Sequence, residues 1–145
     1  MQASILVSRI MPAIKKTISL KEVFCPDTAV AETYFDEIFK FAGVPPRTSY
    51  NSTETMSCSI PSIQYPLSSI LDWRRGIFEF IPVKKDIPDE TKIIGIDEVE
   101  VGKVYEIVYT GLENDLIRYR THNAFKCIAK SDGILNTDHP VFNFI

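Results

Sequence analysis

Six consecutive residues, Tyr50-Asn51-Ser52-Thr53-Glu54-Thr55, place aliphatic hydroxyls and a carboxylate on one short polar segment. A hydroxyl can donate to an anionic oxygen without adding charge, and a carboxylate is the oxygen ligand that a hard divalent cation prefers. The same residues also suit a polar turn between two strands, with Ser52 and Thr53 bonded to nearby backbone. A second polar segment, Arg118-Tyr119-Arg120-Thr121-His122-Asn123, lies further along the chain. Histidine is a residue type suited to general-base work, which makes His122 a candidate. No nucleophile motif stands beside it, and a turn histidine at a strand end is the competing reading. Cys25, Cys58 and Cys127 are odd in number and far apart, and they form no Cys/His cluster with His122 or His139. No Lys/His pattern flanks them to activate a thiolate, so structural burial is expected for each.

These segments need elements to hold them. The clearest helix is expected from about Thr28 to Ala42, where Val30, Tyr34, Phe35, Ile38, Phe39 and Ala42 fall on one face. Asp27 can cap its start, and Gly43 followed by Pro45-Pro46 ends it. Ile5 to Leu20 is ambiguous between strand and helix, split by Pro12. From Thr48 onward the chain reads as strands punctuated by turn residues. Strands are expected over 77–82, 104–110 and 116–129, with Val101-Gly102-Lys103 as a hairpin turn between two strands. Alternation over Leu116 to Arg120 places Leu116, Arg118 and Arg120 on one side. Val141 to Ile145 reads as a last apolar strand, and a strand of that kind expects a partner beyond it. The fold class is therefore α+β, one amphipathic helix followed by a twisted antiparallel β subdomain. The expected organisation is a single, incomplete domain over 1–145, with a helical lead-in over 1–47 and the polar loop and β subdomain over 48–145.

The composition supports a packed core: 145 residues, 45% hydrophobic and 24% charged. A net charge of −3 and a pI near 5.4 supply no electrostatic attraction for nucleic acid or an anionic membrane. The apolar run Ile5 to Val7 is too short for a signal peptide or a membrane span. Three unpaired thiols suit a reducing compartment, and a cytoplasmic location is expected.

Taken in order, Tyr50 to Thr55, Gly76-Ile77-Phe78-Glu79-Phe80-Ile81-Pro82, Glu98 to Thr110 and Arg118 to Asn123 resemble motifs of the auxin-responsive acyl-acid amido synthetases and their fungal and bacterial relatives, within the acyl-adenylate-forming superfamily. The resemblance runs over roughly residues 20–145 and places the chain in the large N-terminal domain of such an enzyme. It implies an activity in which ATP and Mg²⁺ convert a small carboxylic acid to an acyl-adenylate, which is then joined to an amino acid. It also implies nucleotide-binding residues: Tyr50 and Asn51 flanking adenine, Ser52 within the same loop, Thr53 at a phosphate, and Glu54 facing the metal. Asn123 would stand at the ribose, and Trp73, Ile77 and Phe78 would line the acyl pocket.

The chain departs from that pattern in ways that bear on activity. Where the family has Tyr-Arg-x-Gly-Asp, this chain has His122 for the glycine and Asn123 for the aspartate. Asparagine loses the charge and one strong acceptor, worth about 1–2 kcal/mol or roughly tenfold in affinity. A histidine in the glycine position makes any positive φ there costly. Glycines 43, 76, 95, 102, 111 and 133 form no Gly-rich phosphate loop. Pro140-Val141-Phe142-Asn143-Phe144 matches the strand that precedes the family's lysine-bearing C-terminal domain. The expectation is a polypeptide inactive by itself. The alternative is a non-catalytic β-rich binding or interaction module, or an incomplete gene product.

Overall fold

The computed structural model describes residues 20–25 and 28–145; most of the ambiguous stretch from Ile5 and the cap proposed at Asp27 lie outside them. The described residues begin with a β-α-β unit. Strand β1 (Val23–Cys25) runs parallel to β2 (Pro46–Thr48), and two helices, α1 (Thr28–Thr33) and α2 (Phe35–Ala42), make the crossover. The single helix expected over 28–42 is thus two, broken at Tyr34, whose backbone sits at φ −109° and ψ 19°. Thr33 and Tyr34 are both weak helix formers, which lowers the cost of a break there. The stop signal works as expected. Gly43 is left-handed at φ 74° and its N–H bonds Phe39 O at 2.8 Å.

Short strands follow: a hairpin of β3 (Asn51–Ser52) and β4 (Met56–Ser57), then β5 (Ser59–Pro61) and β6 (Ser69–Leu71). The longer strands are β7 (Gly76–Lys84), β9 (Val104–Gly111) and β10 (Tyr119–Ala129), with β8 (Ile87–Pro88) and β11 (Val141–Phe144) beside them. They form a seven-stranded antiparallel sheet in the order β5-β6-β11-β10-β9-β7-β8. Alternation decides its two faces. Phe78, Phe80, Tyr105, Ile107, Tyr109, Phe125, Cys127 and Phe142 turn to one side and make the core, joined by Leu71 and Tyr50. Glu79, Glu106, Arg118 and Arg120 meet one another as ion pairs away from it.

Two local expectations are corrected. Gly102 does turn at φ 84°, its N–H bonding Cys127 O at 2.8 Å. The turn is approached, however, from a short 3-10 segment, Ile96–Glu98, rather than from a strand. Val99 is fully buried and its N–H is spent on Ile96 O, so no ladder forms there. Leu116 packs on the core and does not share a side with Arg118 and Arg120. Arg118 is the reason: its φ of 48° breaks the alternation, and β10 starts only at Tyr119.

Candidate functional site

Tyr50 to Thr55 runs through β3 into the turn of the β3–β4 hairpin, paired through Asn51↔Ser57 and Ser52↔Met56. Hydroxyls shape the turn. Ser52 Oγ accepts the Thr55 N–H at 3.1 Å and lies 2.8 Å from Thr55 Oγ1, which also accepts from the Cys58 thiol at 3.3 Å. Asn51 folds back, its amide donating to Ser49 O and Ser49 Oγ. Tyr50 anchors the hairpin to the sheet. Its N–H donates to Ser59 Oγ at 2.7 Å, and Ser59 Oγ donates back to Tyr50 O at 3.0 Å. Its buried ring meets Phe125 edge-on with centroids 4.7 Å apart.

Asn123 arrives from the other direction. Pairing of β10 with β9 jumps from Arg120↔Val108 to Ala124↔Glu106, leaving a bulge at Thr121 to Asn123. His122 sits in it at φ 55°, the left-handed conformation that the family's glycine at this place would adopt freely. Asn123 Nδ2 donates to the Tyr50 phenolic oxygen at 2.7 Å. Segments 73 residues apart therefore meet at one hydrogen bond. Burial pushes the Tyr50 phenol up, while hydrogen bonds with Ser52, Asn123 and Thr55 pull it down; the net is upward, and the group stays protonated at neutral pH.

Thr53 and Glu54 project from the hairpin tip, both exposed. Glu54's own N–H and the Ser52 and Thr53 hydroxyls hold its carboxyl below the usual range, so it is anionic. Among the described residues no group of three or more His, Cys, Asp or Glu is placed to hold a metal. Glu54 alone suits Mg²⁺ only in the form that ion commonly takes, carried by phosphate oxygens and waters with one or two protein carboxylates.

The acyl-pocket candidates do not share one wall. Phe78 packs in the core against Tyr109, with centroids 5.3 Å apart, while Ile77 points the opposite way and is 58% exposed. Trp73 stacks on His139 with centroids 4.0 Å apart. His139 in turn lines a cleft of about 440 Å³ with Lys130, Asp97 and Asp138, and none of the candidate nucleotide residues borders it. His122 is not a base poised over a nucleophile. Its exposed imidazole lies 3.4 Å from Glu106.

Sequence reading missed Glu106. This carboxylate is buried in the middle of β9 and accepts two bonds from the Arg120 guanidinium at 2.8 and 2.7 Å. Those bonds lower its pKa from the ordinary carboxylate value, against burial, which raises it. Arg120 also reaches Glu90 at 2.6 Å. A carboxylate between Tyr105 and Ile107, on the face opposite their rings, was the available signal, but its partner depends on register.

The profile of the GH3 family central domain matches residues 69–145. This chain belongs to the GH3 family. A curated GH3 relative, jasmonoyl-L-amino acid synthetase GH3.5 of Oryza sativa subsp. japonica, is 32% identical over 124 residues. That match takes in 73% of this chain and 21% of the relative. Among solved structures, the GH3.15 acyl acid amido synthetase superposes with a TM-score of 0.63 at 22% identity, covering 86% of this chain and 21% of that one. A second, AtGH3.15 acyl acid amido synthetase in complex with 2,4-DB, gives 0.54 at 23% identity, over 79% and 19%. These likenesses establish the antiparallel GH3 fold. The chain spans about a fifth of the length of the relatives it matches. The matched profile includes Asn123 and Glu106 but not the Tyr50 to Thr55 hairpin.

Proposed function

We propose that this GH3 chain carries the nucleotide-contacting surface of an acyl-acid amido synthetase. The observation that carries the reading is the bond between Asn123 and Tyr50, which brings two separately read nucleotide segments to one place. In this assignment the Tyr50 and Asn51 segment lies along adenine, and Ser52 and Thr53 donate to a phosphate oxygen. Glu54 holds Mg²⁺ that arrives with ATP. Asn123 Oδ1 accepts from a ribose hydroxyl, its amide being spent on Tyr50. Trp73, Ile77 and Phe78 remain the acyl-side candidates, Trp73 and Ile77 exposed and Phe78 buried. The division into a lead-in over 1–47 and a working part over 48–145 belongs to the same proposal.

The reaction served has two steps. A carboxylate oxygen attacks the α-phosphorus of ATP, forming the acyl–phosphate bond as pyrophosphate leaves. The amine of an amino acid then attacks the acyl carbonyl, and AMP departs with the bonding pair. Catalysis of this kind rests on positioning and on neutralising phosphate charge. These 145 residues contain no Gly-rich phosphate cradle and present a neutral asparagine to the ribose, so we assign the isolated polypeptide a binding role without turnover. Buried free thiols at Cys58 and Cys127 support a reducing, cytoplasmic setting. No described helix is long and apolar enough to cross a membrane.

Two measurements test this. Calorimetric titration with AMP and Mg–ATP should show weak binding, with a Kd in the range of about 0.1–1 mM. Acid-dependent pyrophosphate–ATP exchange should stay below about 0.1 per second, under the usual enzymatic range. Absence of any nucleotide binding would favour the interaction-module reading. Faster exchange would make the isolated chain an enzyme.

A further inference from the structure

Two side chains hold the bulge that presents Asn123: Thr121 Oγ1 donates to Ile107 O at 3.0 Å and accepts from the Asn123 N–H at 3.4 Å, and Glu106 clamps the residues before it. Glu106 is 3% exposed. Its Oε1 accepts from Arg120 Nε at 2.8 Å and from the His122 N–H at 3.3 Å, and its Oε2 accepts from Arg120 Nη2 at 2.7 Å. His122 Nδ1 lies 3.4 Å from Oε1. Every one of these partners belongs to the stretch where β10 leaves its pairing with β9. The left-handed region costs a non-glycine residue backbone strain, which contacts to its backbone can offset. Here the contacting group is a buried carboxylate. Burying a charge for stability alone is poor economy, since apolar replacements of buried ion pairs are often neutral or better. An unusual backbone at a ligand-facing turn is a different reason to keep one.

We infer that Glu106 is the positioning residue of the candidate nucleotide site: it clamps Arg120 and the His122 N–H, and so fixes Asn123 against Tyr50. The inference rests on the nucleotide reading for its ligand but not for its geometry. A neighbouring ion pair serves as an internal control. Glu79 and Arg118 make the same two-pronged contact, at 3.0 and 3.1 Å, on the same side of the sheet, and neither touches the bulge.

The experiment uses the full 145-residue chain, labelled with ¹⁵N, and AMP as the probe. The Asn123 carboxamide is observed directly, by its chemical shift and its contacts with the Tyr50 ring. Glu106→Gln keeps the shape but loses the charge and one acceptor. It should displace or broaden the carboxamide signal and raise the AMP Kd about tenfold, the worth of one charge-assisted bond. Adding His122→Gly should restore both, to within about threefold, because glycine holds φ 55° without help. Because glycine also relieves backbone strain generally, urea denaturation of each variant is read alongside, and a rescue that merely follows the gain in stability counts against the clamp. Glu79→Gln should change neither signal. Should Glu106→Gln fail to fold, Arg120→Lys removes the fork while keeping the charge and interrogates the same clamp.

An unchanged carboxamide in both clamp variants overturns the inference. So does an equal effect from Glu79→Gln, or a folded double variant that stays as impaired as Glu106→Gln. If the wild-type chain does not bind AMP, the nucleotide reading fails, and the carboxamide alone still decides whether Glu106 positions Asn123.

Discussion

The two halves of the candidate site are built by opposite means. The Tyr50 to Thr55 half is a short hairpin whose turn is held by hydroxyls within a few residues of one another. Its tip, Thr53 and Glu54, stands in solvent. The Asn123 half is a distortion in the interior of a seven-stranded sheet, maintained by a buried carboxylate and a guanidinium that belong to different strands. Local hydroxyl networks are cheap and yielding, whereas a desolvated ion pair is costly to form and costly to half-remove. Under the proposed nucleotide reading, one wall would yield to a ligand while the other is set in advance.

Breaking the preset wall should give the largest effect. Glu106→Ala leaves Arg120 without its main partner and is expected to destabilise by about 3 kcal/mol in urea denaturation. A loss below about 1 kcal/mol would show that the bulge is not held by charge. The native Glu106 acid form is depressed. Its contribution should therefore be complete above the ordinary glutamate range and fade as pH falls through the lower folded value.

A second buried carboxylate tests whether loops elsewhere in this chain are set in the same way. Asp132 accepts from the Ser62 hydroxyl and from the N–H groups of Ile63, Gln64, Ile134 and Leu135, joining two loops. Burial pushes its carboxyl up, but those donors outweigh burial and hold it at about 2. Its stabilising effect should be present above the unfolded value of 3.8 and lost as pH falls toward about 2. Asp132→Asn should cost about 2 kcal/mol and flatten that acid limb, both read from denaturation curves collected across pH.

Relieving the bulge sharpens the contrast from the other side. His122→Gly should stabilise by about 1 kcal/mol, because the left-handed backbone no longer strains a side chain. A destabilised variant would mean that the imidazole's contact with Glu106 matters more than its backbone. The smallest effect on stability belongs to the yielding wall. Glu54→Ala should change unfolding free energy by no more than about 0.5 kcal/mol, yet weaken Mg–ATP relative to AMP in titration. Equal loss of both ligands would remove the metal role from Glu54.

Residue order alone determined a good deal here. The helix stop at Gly43, the presence of strands at β7 and β9 and the GH3 lineage all follow from local chemistry: an αL-tolerant residue, β-branched and aromatic runs between turn residues, motif residues in order. So does the unusual position of His122, where a histidine in a glycine's place already raised the question of a positive φ. What only the tertiary structure decided depends on register. Leu116 turned inward because Arg118 broke the alternation, and a one-residue change of phase reverses every side chain after it. The approach to Gly102 became 3-10 because Val99 found a place in the core. Asn123 met Tyr50, and Glu106 met Arg120, only once strands distant in sequence lay side by side. A sequence names the groups that can bond. The ladder of backbone hydrogen bonds, laid down between strands far apart in the chain, chooses which of them do.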